Sequence, residues 1–368
     1  MSEQKICILA PFEHLAYSPT ILNLYDMLSE NFDVEIIAVE SKIFSRLEDR
    51  KVHYLSFKKK SIEKIYYKLF KKTSDIASKA KDYTEFISLN RVGKIAQKQK
   101  YDIFIAVDFE ALWIAQQNKF SNIHFLSLEL TYSPFEERCD KKNLKSVFIQ
   151  RQDRYDYLFK GIEHKTFLVQ NAPTFTNIAI PTNRDKNLLL FCGTASRGFG
   201  APLVLNFLEK YKDFSTHFKG TVYEEIRTQI YTQHSDTFYE GRIILDSEYT
   251  AEKDMMDFIK KFRIGFCFYD MRYPEFNNFN YQTAPSGKLF KYLAAGVPVI
   301  GSDIAGLSYI KEFQAGILLE KPTAENIKKA IDIIEENYDF YVANCLKIAQ
   351  QFSFAENVKP YIDFLKNK

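Results

Sequence analysis

The sequence predicts an α/β protein made of two doubly wound parallel sheets in tandem. Three observations carry that expectation. Short apolar runs alternate with helical patterns from residues 6–10 to 166–169. The alternation restarts at 187–192. The chain has 368 residues, enough for two domains at roughly 100–200 residues each. Strands alternating with helices mark βαβ units, whose parallel sheet is covered on both faces.

Each element follows from its residues. The run 6–10 is apolar and of strand length; Ile21, Leu22, Leu24, Tyr25 and Leu28 then mark one helix face. Further strands are expected at 34–39, 103–107, 123–128 and 146–150. The segment Gln170-Asn171-Ala172-Pro173-Thr174 joins a turn-forming Asn to a Pro and sets the domain boundary. Beyond it, 187–192 is a strong strand and 203–211 a helix, with strands expected at 215–218, 237–239, 264–269 and 297–301. Two such sheets predict a two-lobed molecule with a cleft. The carboxyl ends of parallel strands face a ligand crevice, so the chemistry is sought in the loops that follow strands.

Composition narrows the class. A net charge of +3 implies no nucleic-acid partner, and 46% hydrophobic with 26% charged residues excludes wholesale disorder. Cys7, Cys139, Cys192, Cys267 and Cys345 are far apart and form no CxxC pair, so neither a disulfide framework nor a cysteine zinc site is indicated. The start of the chain lacks a secretory pattern, and no run of about 18 apolar residues occurs. The expected location is therefore cytoplasmic.

One stretch has its own character. Residues 58–82 carry Lys58, Lys59, Lys60, Lys64, Lys68, Lys71, Lys72, Lys79 and Lys81, with Ile62, Ile65, Tyr66, Leu69 and Phe70 at helical spacing. This reads as a basic amphipathic helix. It is either a surface helix docked by its stripe or a contact with an anionic membrane face, where each basic residue contributes about 1 kcal/mol.

The segment 283–300 carries the most chemistry. Pro285 and Ser286 suit a helix start, Leu289, Tyr292 and Leu293 give that helix an apolar face, and Gly296 suits its left-handed end. A helix start presents free N–H groups and a positive dipole end to phosphate. Gly287 permits close approach, Lys288 adds charge and Ser286 a hydroxyl. Together they describe a small diphosphate cradle.

Pro285-Ser286-Gly287-Lys288-Leu289-Phe290-Lys291-Tyr292-Leu293-Ala294-Ala295-Gly296-Val297-Pro298-Val299-Ile300 resembles the donor-site segment of GT-B glycosyltransferases, of the family 4-like (group 1) kind. Residues 303–307 and 315–318 fit its continuation. The run 167–173 resembles the connector between the lobes, Gln150 and Arg154 a Q-x3-R pattern, 189–198 the first strand and glycine loop of the C-terminal lobe, and 352–354 the start of a tail crossing back. The resemblance implies a GT-B architecture of Rossmann-like domains: residues 1–170 on the acceptor side, 171–350 binding a nucleotide-sugar, and a C-terminal helix over 351–368. It implies a hexosyltransferase-type enzyme acting on a glycan or lipid-linked acceptor, as in bacterial surface polysaccharide assembly, with neither cofactor nor metal. Donor-binding residues would be Gly193, Thr194, Arg197, Gly241, Arg242, Tyr269, Asp270, Ser286, Gly287, Lys288 and Leu289.

The departures from the pattern are specific. Many retaining members carry two glutamates where this chain has Thr283 and Lys291, and an arginine where it has Thr194. Stereochemistry thus stays open, as do two other readings: a non-catalytic subunit of this fold and a nucleotide-sugar epimerase. An inverting enzyme needs a general base. His14, Asp108 and Glu129 follow strands of the first half and are the catalytic candidates.

Overall fold

The computed structural model describes residues 4–40, 46–55, 88–130, 133, 135–174, 179–248, 250 and 252–367. The basic stretch 58–82 lies outside the described residues. The chain divides into two compact units, Met1–Val169 with Val358–Lys368, and Gln170–Asn357.

The first unit holds a seven-stranded sheet of order β3-β2-β1-β4-β5-β6-β7. Its strands are β1 (Lys5–Ala10), β2 (Asp33–Val39), β3 (Val52–Leu55), β4 (Ile103–Val107), β5 (Ile123–Leu126), β6 (Ser146–Ile149) and β7 (Thr166–Leu168). Every neighbouring pair is parallel. Helices Pro19–Ser29, Asp108–Gln117 and Gln152–Phe159 are among those that link them. Cys7, Leu9, Phe104, Ala106, Phe125 and Val147 bury one face of the sheet together with helix residues Leu112, Ala115 and Leu158. The helix Phe354–Lys366 brings Tyr361 into this unit, where its fully buried ring meets Phe148 at 4.1 Å, Phe167 at 5.3 Å and His124 at 5.5 Å.

The second unit holds six strands in the order β10-β9-β8-β11-β12-β13. They are β8 (Leu188–Cys192), β9 (Ser215–Lys219), β10 (Ile243–Asp246), β11 (Ile264–Cys267), β12 (Val299–Ser302) and β13 (Gly316–Leu319), again all parallel. Alternate residues of β8 enter opposite cores: Leu189 and Phe191 one, Leu190 and Cys192 the other. This is what a strand buried on both faces requires.

In both sheets the order reverses beside the first strand, between β1 and β4 and between β8 and β11. Ligands of such sheets bind outside the carboxyl ends at that reversal. Two expectations need correction. The expected strand at 237–239 is the end of a helix, Ser235–Tyr239, and the strand lies later, at β10. Strands β3 and β13, unmarked in the sequence, complete the two sheet edges.

Candidate functional site

In the second unit the reversal point is a cradle. After β8, Gly193 takes φ 98°, and after β9, Gly220 takes φ 129°. Both lie in the left-handed region that favours glycine. A Cβ on Gly220 would strike the Gly193 carbonyl, so the two turns nest against each other. Thr194 follows, partly exposed. Helix Gly287–Ala294 begins at the same end, with Ser286 as its N-cap. Ser286 makes no capping hydrogen bond; its hydroxyl pairs with the Cys267 thiol. No described residue accepts the backbone N–H of Gly287 or Lys288.

Lys288 is the centre of this cradle. Its ammonium stands over three rings, Phe191 at 5.0 Å, Phe199 at 5.4 Å and Tyr269 at 5.9 Å. Its stem passes 4.0 Å from where a Gly193 Cβ would sit. Among the described residues no carboxylate pairs with it. Aromatic faces attract a cation without neutralising its charge. The result is a positioned positive charge beside free helix N–H groups, the arrangement an anion selects.

The other expected donor residues divide. Tyr269 is buried, and its backbone N–H and carbonyl both bond the Ser302 hydroxyl, at 3.0 and 2.9 Å. Asp270 is buried and accepts the Arg272 guanidinium, at 2.8 Å from Nε and 2.6 Å from the second nitrogen. Leu289 is fully buried in the core, so its side chain is packing. A Cβ on Gly287 would lie 2.6 Å from the Asn171 amide nitrogen, at the end of a side chain that would have to move aside. Arg197 is exposed and committed to Glu225, whose carboxylate accepts its Nε at 2.9 Å and its backbone N–H at 3.3 Å.

Gly241 and Arg242 do not belong to the cradle. They precede β10 and lie at the amino end of the sheet, where the Ser215–Thr216 end of β9 begins. Arg242 there closes the helix Ala201–Lys210 by donating to the Leu208 carbonyl at 2.6 Å, and pairs with Glu240. The loop at the carboxyl end of β10 is instead Asp246–Glu248. It is pinned by the buried Lys219, which donates to Asp246 Oδ1 at 2.8 Å and to the Glu248 carbonyl at 2.9 Å. Sequence reading missed Lys219, which sits at the end of a strand expected to stop one residue earlier, and the rings of Phe191 and Phe199.

In the first unit the three catalytic candidates do gather. His14 follows β1, Asp108 follows β4 directly as the first residue of helix Asp108–Gln117, and Glu129 follows β5. Glu129 is exposed, and its carboxylate raises the affinity for protons of His14, Asp108 and Arg154 alike. His14 stacks on Phe12 at 4.3 Å. Burial lowers its pKa and outweighs the opposing pull of Glu129. Asp108 is pushed up to about 7, first by burial and further by Glu129, against hydrogen bonds from two backbone N–H groups. The loop 127–129 is held from the other side by Gln150, which donates to the Ser127 and Leu128 carbonyls at 2.9 and 3.1 Å. Arg154, 1% exposed, donates to the Leu128 carbonyl at 3.1 Å. Among the described residues no cluster of three His, Cys, Asp or Glu could hold a metal ion, and no helix is long and apolar enough to cross a membrane.

No family model matches the chain, and no curated protein sequence does. Solved structures do. The glycosyltransferase of Rickettsia africae ESF-5 aligns over 100% of both chains with TM-score 0.71 and 13% identity. Anabaena Alr3699/HepE in complex with UDP aligns over 99% of this chain and 100% of its own, with TM-score 0.71 and 12% identity. The E. coli trehalose-6-phosphate structure bound with UDP-2-fluoro glucose aligns over 99% of both, with TM-score 0.67 and 10% identity. The chain thus has the GT-B glycosyltransferase fold.

Proposed function

We propose that this protein transfers a sugar from a nucleotide-sugar to an acceptor hydroxyl, and that its second unit binds the donor. The observation that carries this is Lys288, a cation without a carboxylate partner among the described residues, held by aromatic rings at a helix N-terminus. Such a group stabilises a departing diphosphate, whose charge grows as the sugar leaves. The similar HepE structures contain UDP and UDP-glucose, which makes a uridine diphosphate sugar the first donor to try. The cradle supplies its positive charge from protein groups, so the reaction as proposed needs neither metal nor cofactor.

Glu129 is the general base of this reading. It takes the proton of the acceptor hydroxyl while the acceptor oxygen bonds the anomeric carbon. The bond from that carbon to the diphosphate oxygen breaks, and the nucleotide leaves with the electron pair. One displacement inverts the anomeric centre. Thr283 and Lys291, where retaining relatives carry glutamates, agree with this: Thr283 is buried and its hydroxyl is spent on the Phe279 carbonyl. The acceptor is read as a glycan or lipid-linked sugar of surface polysaccharide, met at the inner face of the cell membrane through the basic residues 58–82.

The test is saturation-transfer NMR against a panel of nucleotide-sugars, with Lys288→Ala alongside, followed by the anomeric configuration of any product. One donor bound by the native protein and lost in the variant supports the reading. Binding that survives the variant overturns the cradle, and a retained anomer overturns the base. Donor binding without turnover on any glycan acceptor would favour the non-catalytic subunit, which the missing glutamate pair also suits. Liposome co-sedimentation that ignores lipid charge and salt would remove the membrane contact.

A further inference from the structure

Of the three groups in the first unit, Asp108 has the conformation that calls for an explanation. Its φ is 59°, a value that costs a residue other than glycine strain. The other described non-glycine residues with positive φ are Lys100, Lys119, Asn122, Lys160 and Gln314. They sit in turns just beyond helices or before a strand, where the left-handed region is an ordinary terminator. Among these described residues Asp108 alone lies just past the carboxyl end of a strand and opens a helix, at the point where the sheet order reverses.

The unusual backbone delivers the side chain across to the next strand's loop. One oxygen, Oδ1, accepts the Leu128 N–H at 2.8 Å and lies 3.4 Å from the Glu129 N–H. Gln150 and Arg154 take the carbonyls of the same loop. The peptide that carries Glu129 is therefore clamped on its donor side by Asp108 and on its acceptor side by two side chains. The Glu129 side chain itself stays exposed.

We infer that Asp108 is a positioning residue: it fixes the Leu128–Glu129 backbone and so aims the Glu129 carboxylate, without itself accepting the substrate's proton. This rests on the reading of Glu129 as the base. Oδ1 is already turned to two backbone N–H groups, so this oxygen serves the loop, and the kinetic comparison below tests whether Oδ2, on a partly exposed side chain, meets a hydroxyl instead. The charged groups around it are Glu129 from the loop after β5 and Arg154 from helix Gln152–Phe159, with His14 beyond Glu129. Asparagine at 108 would keep the accepting oxygen and lose the titration, and this separates aim from proton transfer.

The experiment compares the full-length native protein with Asp108→Asn, Asp108→Ala and Glu129→Gln, each checked for folding by circular dichroism. Backbone amide NMR is followed from pH 5.5 to 8.5, and transfer kinetics are measured with the identified donor. In the native protein the Leu128 and Glu129 amide resonances move together with a midpoint near 7. In Asp108→Asn that movement vanishes and the resonances stay near their native low-pH positions, because the neutral amide resembles the protonated carboxyl. Kinetically, Asp108→Asn keeps kcat within about threefold, whereas Glu129→Gln loses at least about 100-fold, the usual scale of a general base. Asp108→Ala lowers kcat and leaves the donor KM unchanged. The inference fails if Asp108→Asn is as inactive as Asp108→Ala while Glu129→Gln stays active, since Asp108 would then be the base. It also fails, with or without any transfer activity, if the two amides do not titrate or do so unchanged in Asp108→Asn. Absence of turnover in the native protein with the amide result intact would count against the transferase reading alone.

Discussion

The two units place their candidate groups at the same point of the same kind of sheet, and fill it with opposite chemistry. After β1, β4 and β5 stand a histidine, His14, and two carboxylates, Asp108 and Glu129, with the buried Arg154 bonded to the Leu128 carbonyl. After β8 and β11 stand Gly193 and Tyr269, with Lys288 among aromatic rings and no titrating carboxylate paired to it among the described residues. Topology chooses where a site lies; the residues choose which ligand it takes. A cradle of N–H groups and one cation suits a diphosphate. A carboxylate whose backbone is clamped suits the removal of a proton.

The largest expected effect that would break this contrast is on Lys288. Replacement by alanine should weaken nucleotide-sugar binding by roughly 10- to 100-fold, the scale of a hydrogen bond to a charged group, measured by calorimetry. Donor affinity unchanged in this variant would mean that the second unit's site is elsewhere. Arg242→Ala should do the converse. It removes a helix-end hydrogen bond and costs about 1 kcal/mol of stability, read from denaturant midpoints, with donor affinity untouched.

Acid should divide the carboxylates within the first unit. Burial pushes Glu35 up, but hydrogen bonds from Lys5, Tyr101 and His53 outweigh it and hold it at about 2. The stability it contributes is present above its ordinary value of 4.5 and is lost as pH falls toward 2. Asp108 has the opposite sign. Its folded pKa of about 7 lies above the ordinary 3.8, so the native state binds the extra proton in that window, and stability from this group rises as pH falls from 7 toward 4. Urea titrations should therefore show Asp108→Asn flattening the profile between pH 4 and 7, and Glu35→Gln flattening it below 4.5. The smallest effect is expected at Arg197. Its pairing with Glu225 predicts that Arg197→Ala changes donor affinity by less than about threefold, as exposed ion pairs contribute little. A loss equal to that of Lys288→Ala would show that Arg197 leaves Glu225 for the donor.

Much of this was legible in the sequence because buried parallel strands are uniformly apolar. Residues 103–107 and 187–192 read as strands for that reason, and the structure has them at Ile103–Val107 and Leu188–Cys192. Edge strand β3 was not legible: it is Val-His-Tyr-Leu and only partly buried, and its histidine bonds Glu35 at 2.6 Å. Residues 237–239 have strand-like composition, yet a short helix claims them, and Gly241, with φ 76°, turns the chain into the strand that follows. That one displacement carried Gly241 and Arg242 to the wrong end of the sheet. Lys288 was legible as a cation at a helix start, from the order of residues alone. Its surroundings were not, since Phe191, Phe199 and Tyr269 come from three places in the chain and meet only in three dimensions. The gathering of His14, Asp108 and Glu129 followed from strand order, but the clamp on Leu128–Glu129 depends on a backbone angle that no sequence pattern announces.

Synthesis proceeds from one end, and the first unit is not continuous along the chain. Its sheet is complete by Leu168, yet Tyr361, fully buried against Phe148 and Phe167, belongs to its last eleven residues. On the ribosome the second unit, wholly contained in Gln170–Asn357, can finish first although it is made later. Until residues 358–368 emerge, the first unit lacks the ring of Tyr361 on its apolar face. A chain cut after Asn357, with the second unit whole and the first lacking Val358–Lys368, should be more dependent on chaperones than the full chain.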